Sequence, residues 1–144
     1  MTEISILYPV FVQVFLTFVL QLWMRQERVG AFRRGEVKVQ DISLRQQNWP
    51  PRATQIANAF HNQLETPMLF YVLAAFLMIT SQVDLLFVVL AWLFVAVRLA
   101  HAYIHTTSNR QPHRMYCFVL GSGILMLMWV LFALRILFYS AGAA

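Results

Sequence analysis

The chain has little cysteine, little charge and few acidic residues: one Cys and six Asp or Glu in 144 residues. A single cysteine excludes a disulfide framework and a cysteine-rich zinc or iron–sulfur site. Charged residues make up 12% of the chain, whereas an ordinary soluble domain has roughly 25%. Disorder is excluded as well, because 60% of the residues are hydrophobic. The length favours one domain over residues 1–144.

Four long apolar segments are present instead, and each predicts a membrane-spanning helix. Segment 4–24 has 21 residues without a formal charge, and a helix of that length crosses about 31 Å, the thickness of one bilayer core. It is interpreted as a transmembrane helix and not a signal peptide, because it lacks a basic start and a small-residue cleavage site. The other predicted spans are 53–79, 85–105 and 115–134. The predicted fold class is therefore all-α, an integral membrane four-helix bundle.

Prolines and a short polar segment predict where the second span begins, bends and ends. Pro50 and Pro51 suit the first turn of that helix. Pro67 is expected to kink it, because proline removes one backbone hydrogen bond. Segment 80–84 predicts a short turn, so the second and third spans are expected to be antiparallel neighbours.

The basic residues are grouped on one side of the predicted membrane. Segment 25–52 carries seven of them, including Arg45, against three acids, and segment 106–114 carries two arginines and no acid. By the positive-inside rule, both loops face the cytoplasm and both termini face outward. For a bacterial protein this means the inner membrane with periplasmic termini. The protein is expected to contact membrane lipid, and no nucleic-acid partner is expected.

Two of the spans carry ionisable and amide side chains, which are costly inside a bilayer and therefore indicate a site. In the second span their spacing is i, i+3, i+4, i+7, and in the third it is i, i+3, i+7, so each set shares one helix face. Both sets lie at a similar distance from the turn at 80–84, so we expect Glu65 and Arg98 to form a buried ion pair. The pair joins two helices and can also hold a polar ligand. The residues are Asn58, His61, Asn62 and Glu65 in the second span, and Arg98, His101 and His105 in the third.

A cation-rich pocket is expected on the cytoplasmic side of that pair. Arg110 and Arg114 follow the third span, and Arg25 and Arg28 follow the first. Such a pocket beside the lipid boundary suits an anionic polar small molecule that works on a lipophilic partner. Anchoring to anionic headgroups is the alternative explanation for Arg25, Arg28 and Arg114.

These residues carry a resemblance to a known family. Asn58–Glu65 (NAFHNQLE) is similar to the pattern R-A-x-x-N-x-x-E, and RLAH at 98–101 with RQPHR at 110–114 is similar to R-x-A-H followed by R-x-P-x-R. On these motifs the chain resembles the MAPEG family, the membrane-associated proteins in eicosanoid and glutathione metabolism. It resembles in particular the microsomal glutathione transferase and prostaglandin E synthase type, and segment 62–73 is similar to a bacterial branch. The resemblance runs from about residue 23 to residue 116.

The resemblance implies a homotrimer that binds glutathione, as co-substrate, between subunits. It also implies that an arginine acts at the thiol, either Arg114 or one of Arg25 and Arg28 at the end of the first span. His105 and Asn58 stand at glutathione-contacting positions where better-known members have tyrosine and arginine, and His61 lies on the same side. The residues that correspond by position to the glutathione site are Asn62, Glu65, Arg98, His101, Arg110 and Arg114.

The predicted function is that of a glutathione-dependent transferase or peroxidase for lipophilic electrophiles or lipid hydroperoxides. A thiol with a pKa of about 8.5 is only a few per cent thiolate at pH 7, and a nearby cation lowers that pKa. Arginine is always charged, so it stabilises a thiolate but is a poor base. No metal is expected.

Three other functions compete with this prediction. A non-catalytic lipid-binding or scaffold member of the same fold is favoured by Asn58 and His105. A b-type haem protein would use His61, His101 or His105 as axial ligands. A proton-coupled exporter needs an unpaired membrane carboxylate, and the expected neutralisation of Glu65 argues against it.

Overall fold

The computed structural model describes residues 3–42 and 48–142. All the regular secondary structure in these residues is helical, and none of it is β-strand. Four helical segments are long and apolar enough to cross a membrane: Glu3–Arg33, Pro51–Ile79, Leu85–Thr106 and Gln111–Phe138. The predicted all-α architecture with four spans is confirmed. Arg45, counted among the basic loop residues, lies outside the described residues.

The first span begins with a 3-10 turn, Glu3–Ile6, and continues as α1, Leu7–Arg33. The helix continues nine residues beyond Met24, where the predicted span ends. Charge ends the apolar segment there, but the arginines, glutamines and glutamate that follow favour helix. A short helix, α2, spans Val39–Ile42.

The second span is broken rather than kinked. It consists of α3 (Pro51–His61), a 3-10 turn (Asn62–Leu64) and α4 (Thr66–Ile79). Pro51 begins α3 as predicted. Glu65 has φ −94° and ψ −105°, outside helical geometry, and Pro67 follows in the first turn of α4. Pro67 has no N–H for the carbonyl four residues earlier, and its ring excludes that carbonyl, so the chain leaves the helix before it.

The third span is α5, Leu85–Thr106, which agrees with the prediction within one residue. The fourth is α6, Gln111–Gly142, which begins before and ends after the predicted 115–134. Arg135, expected to end this helix, lies inside α6, and its guanidinium pairs with Asp84 at 2.6 Å. α5 packs along α6, and α1 packs against α3 and α5.

The apolar core lies toward the turn at 80–84, and buried polar side chains lie toward the other end. Phe70, Phe87 and Phe94 are fully buried in the core, and the rings of Phe70 and Phe94 are 4.8 Å apart. We call the end where α1 and α5 finish and α3 and α6 begin the basic end. The buried polar side chains are Gln13, Gln63, Arg98, His101, His105 and Thr106.

At the end opposite the basic end, Asp84 connects α5 to α6. Its carboxylate accepts a hydrogen bond from the backbone N–H of Phe87 at 3.0 Å and pairs with Arg135, whose guanidinium also covers the Phe87 ring at 4.7 Å. Partial burial opposes ionisation of Asp84, but the Phe87 N–H and Arg135 outweigh it and hold its pKa below the ordinary 3.8. The contact therefore stabilises the start of α5 against α6.

Asp84→Ala should lower the free energy of unfolding by about 1–2 kcal/mol, because a helix cap contributes about 1 kcal/mol and a partly exposed ion pair about 0–1 kcal/mol. Asp84→Asn keeps the cap and should lose only the ion-pair part. Since folding lowers the pKa of Asp84, its contribution is fully present above pH 3.8 and is lost as the pH falls through the lowered value. Thermal denaturation in detergent, followed by circular dichroism, measures both effects.

Glu36→Gln is the matched control. The Glu36 side chain pairs with Arg34 at 2.6 Å on the exposed surface and caps none of the spans, and the substitution keeps its backbone N–H bond to the Ala31 carbonyl. Its loss should leave the denaturation midpoint unchanged. An Asp84→Ala midpoint equal to that of the wild type would contradict the stabilising role of the contact.

Candidate functional site

A polar cleft opens at the basic end between α3, α5 and the first turns of α6. It consists of two cavities of about 380 and 230 Å³ that share Asn62 and Arg114. Small-molecule sites usually measure about 300–1,000 Å³, so the combined space is large enough for one. Around the shared residues, the larger cavity is lined by Asn58, His61, Glu65 and His105, and the smaller by His101, Gln111, Met115 and Phe118.

Arg98 holds the floor of the polar cleft. Only 1% of it is exposed, and its guanidinium donates to the main-chain oxygen of Asn62 at 2.7 Å and to Oδ1 of the same residue at 2.8 Å. An unbroken helix would use that main-chain oxygen for the N–H of Thr66. The break in the second span therefore makes the carbonyl available to a buried cation.

The expected direct ion pair between Glu65 and Arg98 does not form. Among the described residues, no ion pair within 4.0 Å joins these two side chains. Glu65 is exposed on the cleft wall, where the Asn62 amide lies 3.5 Å from its carboxylate. The depth comparison assumed one continuous helix, and the break ahead of Pro67 turns Glu65 away, so Asn62 stands between the two charges.

His101 and His105 are buried, and one ring nitrogen of each has no partner among the described residues. They are 2% and 4% exposed, and their rings meet edge to face with centroids 5.6 Å apart. Nδ1 of each ring is buried without a hydrogen-bond partner in the described part of the chain. Buried polar atoms are nearly always paired. A polar ligand or ordered water is therefore expected beside these rings.

Arg114 is held in place by Asn109, a residue that the sequence analysis missed. The Arg114 guanidinium donates to Oδ1 of Asn109 at 2.7 Å. Asn109 has φ +48°, and its N–H donates to the Ile104 carbonyl at 2.8 Å, which closes the end of α5. Asparagine is among the few residues that tolerate this left-handed conformation. A polar Ser-Asn pair after a long helical segment was the available signal.

Two further missed residues attach the end of α5 to α3. Arg52 donates to the Thr106 carbonyl at 2.6 Å, and Gln55 donates to the His105 carbonyl at 2.8 Å. The last carbonyls of a helix have no partner inside it, so α3 supplies them. Arg52 also lies over the Trp23 ring at 5.1 Å. α1, α3 and α5 therefore meet at the basic end. From the sequence, Arg52 had been counted only as one of the basic residues of a loop.

Three predicted arginines lie apart from the polar cleft of this chain. Arg28 packs over the Trp49 ring at 5.0 Å. Arg25 is exposed on the outer face of α1, where it lines a separate groove of about 450 Å³. Arg110 is exposed and lines neither cleft cavity. The predicted site residues that the fold does bring together are Asn58, His61, Asn62, Glu65, Arg98, His101, His105 and Arg114.

The cleft has no evident metal centre. In residues 3–42 and 48–142, no group of three or more His, Cys, Asp or Glu is arranged to hold a metal ion. The cleft lining offers hydrogen-bond donors, the Arg114 cation and the Glu65 carboxylate. This combination suits a polar or zwitterionic small molecule.

Comparison with known proteins identifies the family. The family model described as "MAPEG family" matches residues 6–134. The chain belongs to the MAPEG family. No curated protein and no solved structure matches it significantly. The matched region contains all residues of the polar cleft. With its four apolar helices, this MAPEG protein is a multi-pass membrane protein of a family associated with glutathione and eicosanoid metabolism.

In this MAPEG protein, Asn62→Ala should lower the free energy of unfolding by about 1.5–3 kcal/mol, because it removes a hydrogen bond to a buried charged group. Asn58→Ala is the control: Asn58 also lines the cleft, but it is exposed, and such substitutions change stability by less than about 0.5 kcal/mol. Thermal denaturation in detergent compares the two. Equal effects would show that the Arg98–Asn62 contact does not stabilise the cleft floor.

Proposed function

We propose that this MAPEG protein is a glutathione-dependent transferase or peroxidase that acts on lipophilic electrophiles or lipid hydroperoxides. We place it with the microsomal glutathione transferase and prostaglandin E synthase type, in a bacterial branch. One observation supports this most: Arg114 faces both cavities of a cleft that also contains two buried histidines with unpaired Nδ1 atoms. A cation beside unpaired polar groups suits an anionic polar molecule.

The donors and acceptors of the cleft suit the ends of the tripeptide. Glutathione carries two carboxylates and an ammonium group. His101, His105 and the Asn62 amide offer donors to the carboxylates, while the exposed Glu65 carboxylate faces the ammonium group. Arg98 acts indirectly, because both of its hydrogen bonds go to Asn62. It therefore orients the residue that contacts the tripeptide.

Arg114 is the proposed thiolate-stabilising group. An adjacent guanidinium lowers the pKa of the thiol, and the released proton goes to solvent, since arginine is a poor base. In the transferase reaction the thiolate sulfur forms a bond to an electrophilic carbon. Either a leaving group departs from that carbon with its bonding electron pair, or a carbon–carbon double bond opens and its far end takes a proton from solvent. In the peroxidase reaction it attacks a hydroperoxide oxygen and the O–O bond breaks. The products are an alcohol and a glutathione sulfenic acid, which a second glutathione converts to the disulfide with loss of water.

We also propose a homotrimer in which a neighbouring copy brings its α1 to the open side of the cleft. Arg25 is better placed for this than Arg28, because Arg25 is exposed on the outer face and Arg28 is packed on its own Trp49. Arg110 is also exposed, so it too could contact a neighbouring copy in the proposed trimer. We propose that the basic end faces the cytoplasm and that both termini face outward. In a bacterium the protein would lie in the inner membrane.

A non-catalytic lipid-binding or scaffold role is the second candidate. Asn58 and His105 both line the larger cavity, at positions where the resemblance implies arginine and tyrosine in better-known members. The cleft therefore holds less positive charge than the family pattern implies, which favours weaker binding of an anion.

Glutathione titrated into the detergent-purified protein at pH 7 should give a saturable ultraviolet thiolate band. Arg114→Ala should reduce the band roughly tenfold, because the thiol pKa returns toward its ordinary value of about 8.5. A pH titration of the band in both proteins measures the shift directly. Success would justify a screen of lipophilic electrophiles and hydroperoxides.

Lys38→Ala is the matched comparison, since it removes one positive charge from an exposed position beyond the end of α1 that lines neither cleft cavity. It should keep the band. Equal loss in both variants would mean that general positive charge, and not Arg114, ionises the thiol. No binding to the wild type at millimolar glutathione would contradict the enzymatic function and favour the scaffold.

A further inference from the structure

Two buried glutamines join the first span to the break in the second. Gln13 of α1 is 0% exposed and Gln63 is 1% exposed, and Nε2 of Gln13 donates to Oε1 of Gln63 at 2.8 Å. Polar side chains in a membrane span are costly and usually functional. The other glutamines of α1, Gln21 and Gln26, are exposed instead. The pair therefore requires an explanation beyond ordinary packing.

The position of Gln63 supplies one. It lies inside the 3-10 turn, between Asn62 and Glu65 of the polar cleft, and its own Nε2 donates to the Ala59 carbonyl at 3.3 Å. The turn is thus held from two sides. Arg98 of α5 binds Asn62, and Gln13 of α1 binds the next residue along the chain.

Stability alone does not account for the pair. Oε1 of Gln13 is buried without a partner among the described residues, and an unpaired buried acceptor is destabilising. Two apolar side chains of similar size would fill the same space without that cost. Pro67 breaks the helix in any case, but it does not set how the turn is rotated. A contact from another helix can set that rotation, and Gln13 of α1 supplies one.

We propose that Gln13 is a positioning residue for the polar cleft: through Gln63, it fixes the 3-10 turn so that Asn62 and Glu65 face the cavities. The inference rests on the proposed function only where glutathione is used as the probe. Gln13 lines neither cleft cavity and lies on another helix, α1.

Hydrogen exchange followed by mass spectrometry tests the positioning role without any ligand. In Gln13→Leu, the amides of residues 62–66 should exchange at least about fivefold faster, because local opening of the turn becomes easier. Exchange at the end of α5 should not change. Gln21→Leu is the matched control, since it is the same substitution on the same helix at an exposed position. Unchanged exchange at 62–66 in Gln13→Leu would overturn the inference, whatever glutathione does.

Glutathione binding by single and double variants separates positioning from stabilisation. Gln13→Leu should weaken glutathione binding about tenfold, because a misplaced contact group loses its share of the binding free energy. The double variant Gln13→Leu/Gln63→Leu packs two apolar side chains, so its denaturation midpoint should recover while its affinity stays low. Recovery of both would assign the pair a purely stabilising role and overturn the inference. If the wild type binds no glutathione, the proposed function fails and the exchange measurement alone decides the role of Gln13.

Discussion

A cation buried in a membrane helix must find acceptors within the protein, and Arg98 finds them at one interrupted point of the neighbouring span. Its guanidinium binds the main-chain and side-chain oxygens of Asn62, and the main-chain oxygen is free because the helix does not continue past it. Pro67 makes that interruption unavoidable. The same break separates α3 from α4, exposes Glu65 and opens the polar cleft. Pro67 and Arg98 therefore account for the break and for one of the two contacts that hold it, and the Gln13–Gln63 contact is the other.

The bundle separates its stabilising contacts from its polar groups. The aromatic core and the Asp84–Arg135 contact lie toward the turn that joins α4 and α5. At the basic end, Arg52, Gln55 and Asn109 supply the backbone and side-chain partners that α5 and Arg114 need. A packed apolar half thus supports a polar cleft at the basic end. This arrangement agrees with membership of the MAPEG family.

Helix positions were the most predictable feature, because a bilayer requires about 20 apolar residues per span. The third span and the proline at the start of the second were confirmed closely. α1 and α6 extend beyond the predicted spans, since hydropathy reports where charge begins and not where helical hydrogen bonding stops. The Glu65–Arg98 pair was wrong for a related reason: spacing along an ideal helix places both groups at one depth, but a broken helix changes the direction of each side chain beyond the break.

Residue types and their spacing were sufficient to identify four membrane spans, a one-sided distribution of basic residues and a set of polar side chains that belong together. These properties are local, because hydropathy and helical periodicity act over neighbouring residues. The partners of those side chains were not accessible in this way. The pairing of Gln13 with Gln63, of Arg98 with Asn62 and of Arg114 with Asn109 depends on how helices rotate against each other. That rotation is set by packing between segments distant in the chain, so it emerged only when the helices were assembled.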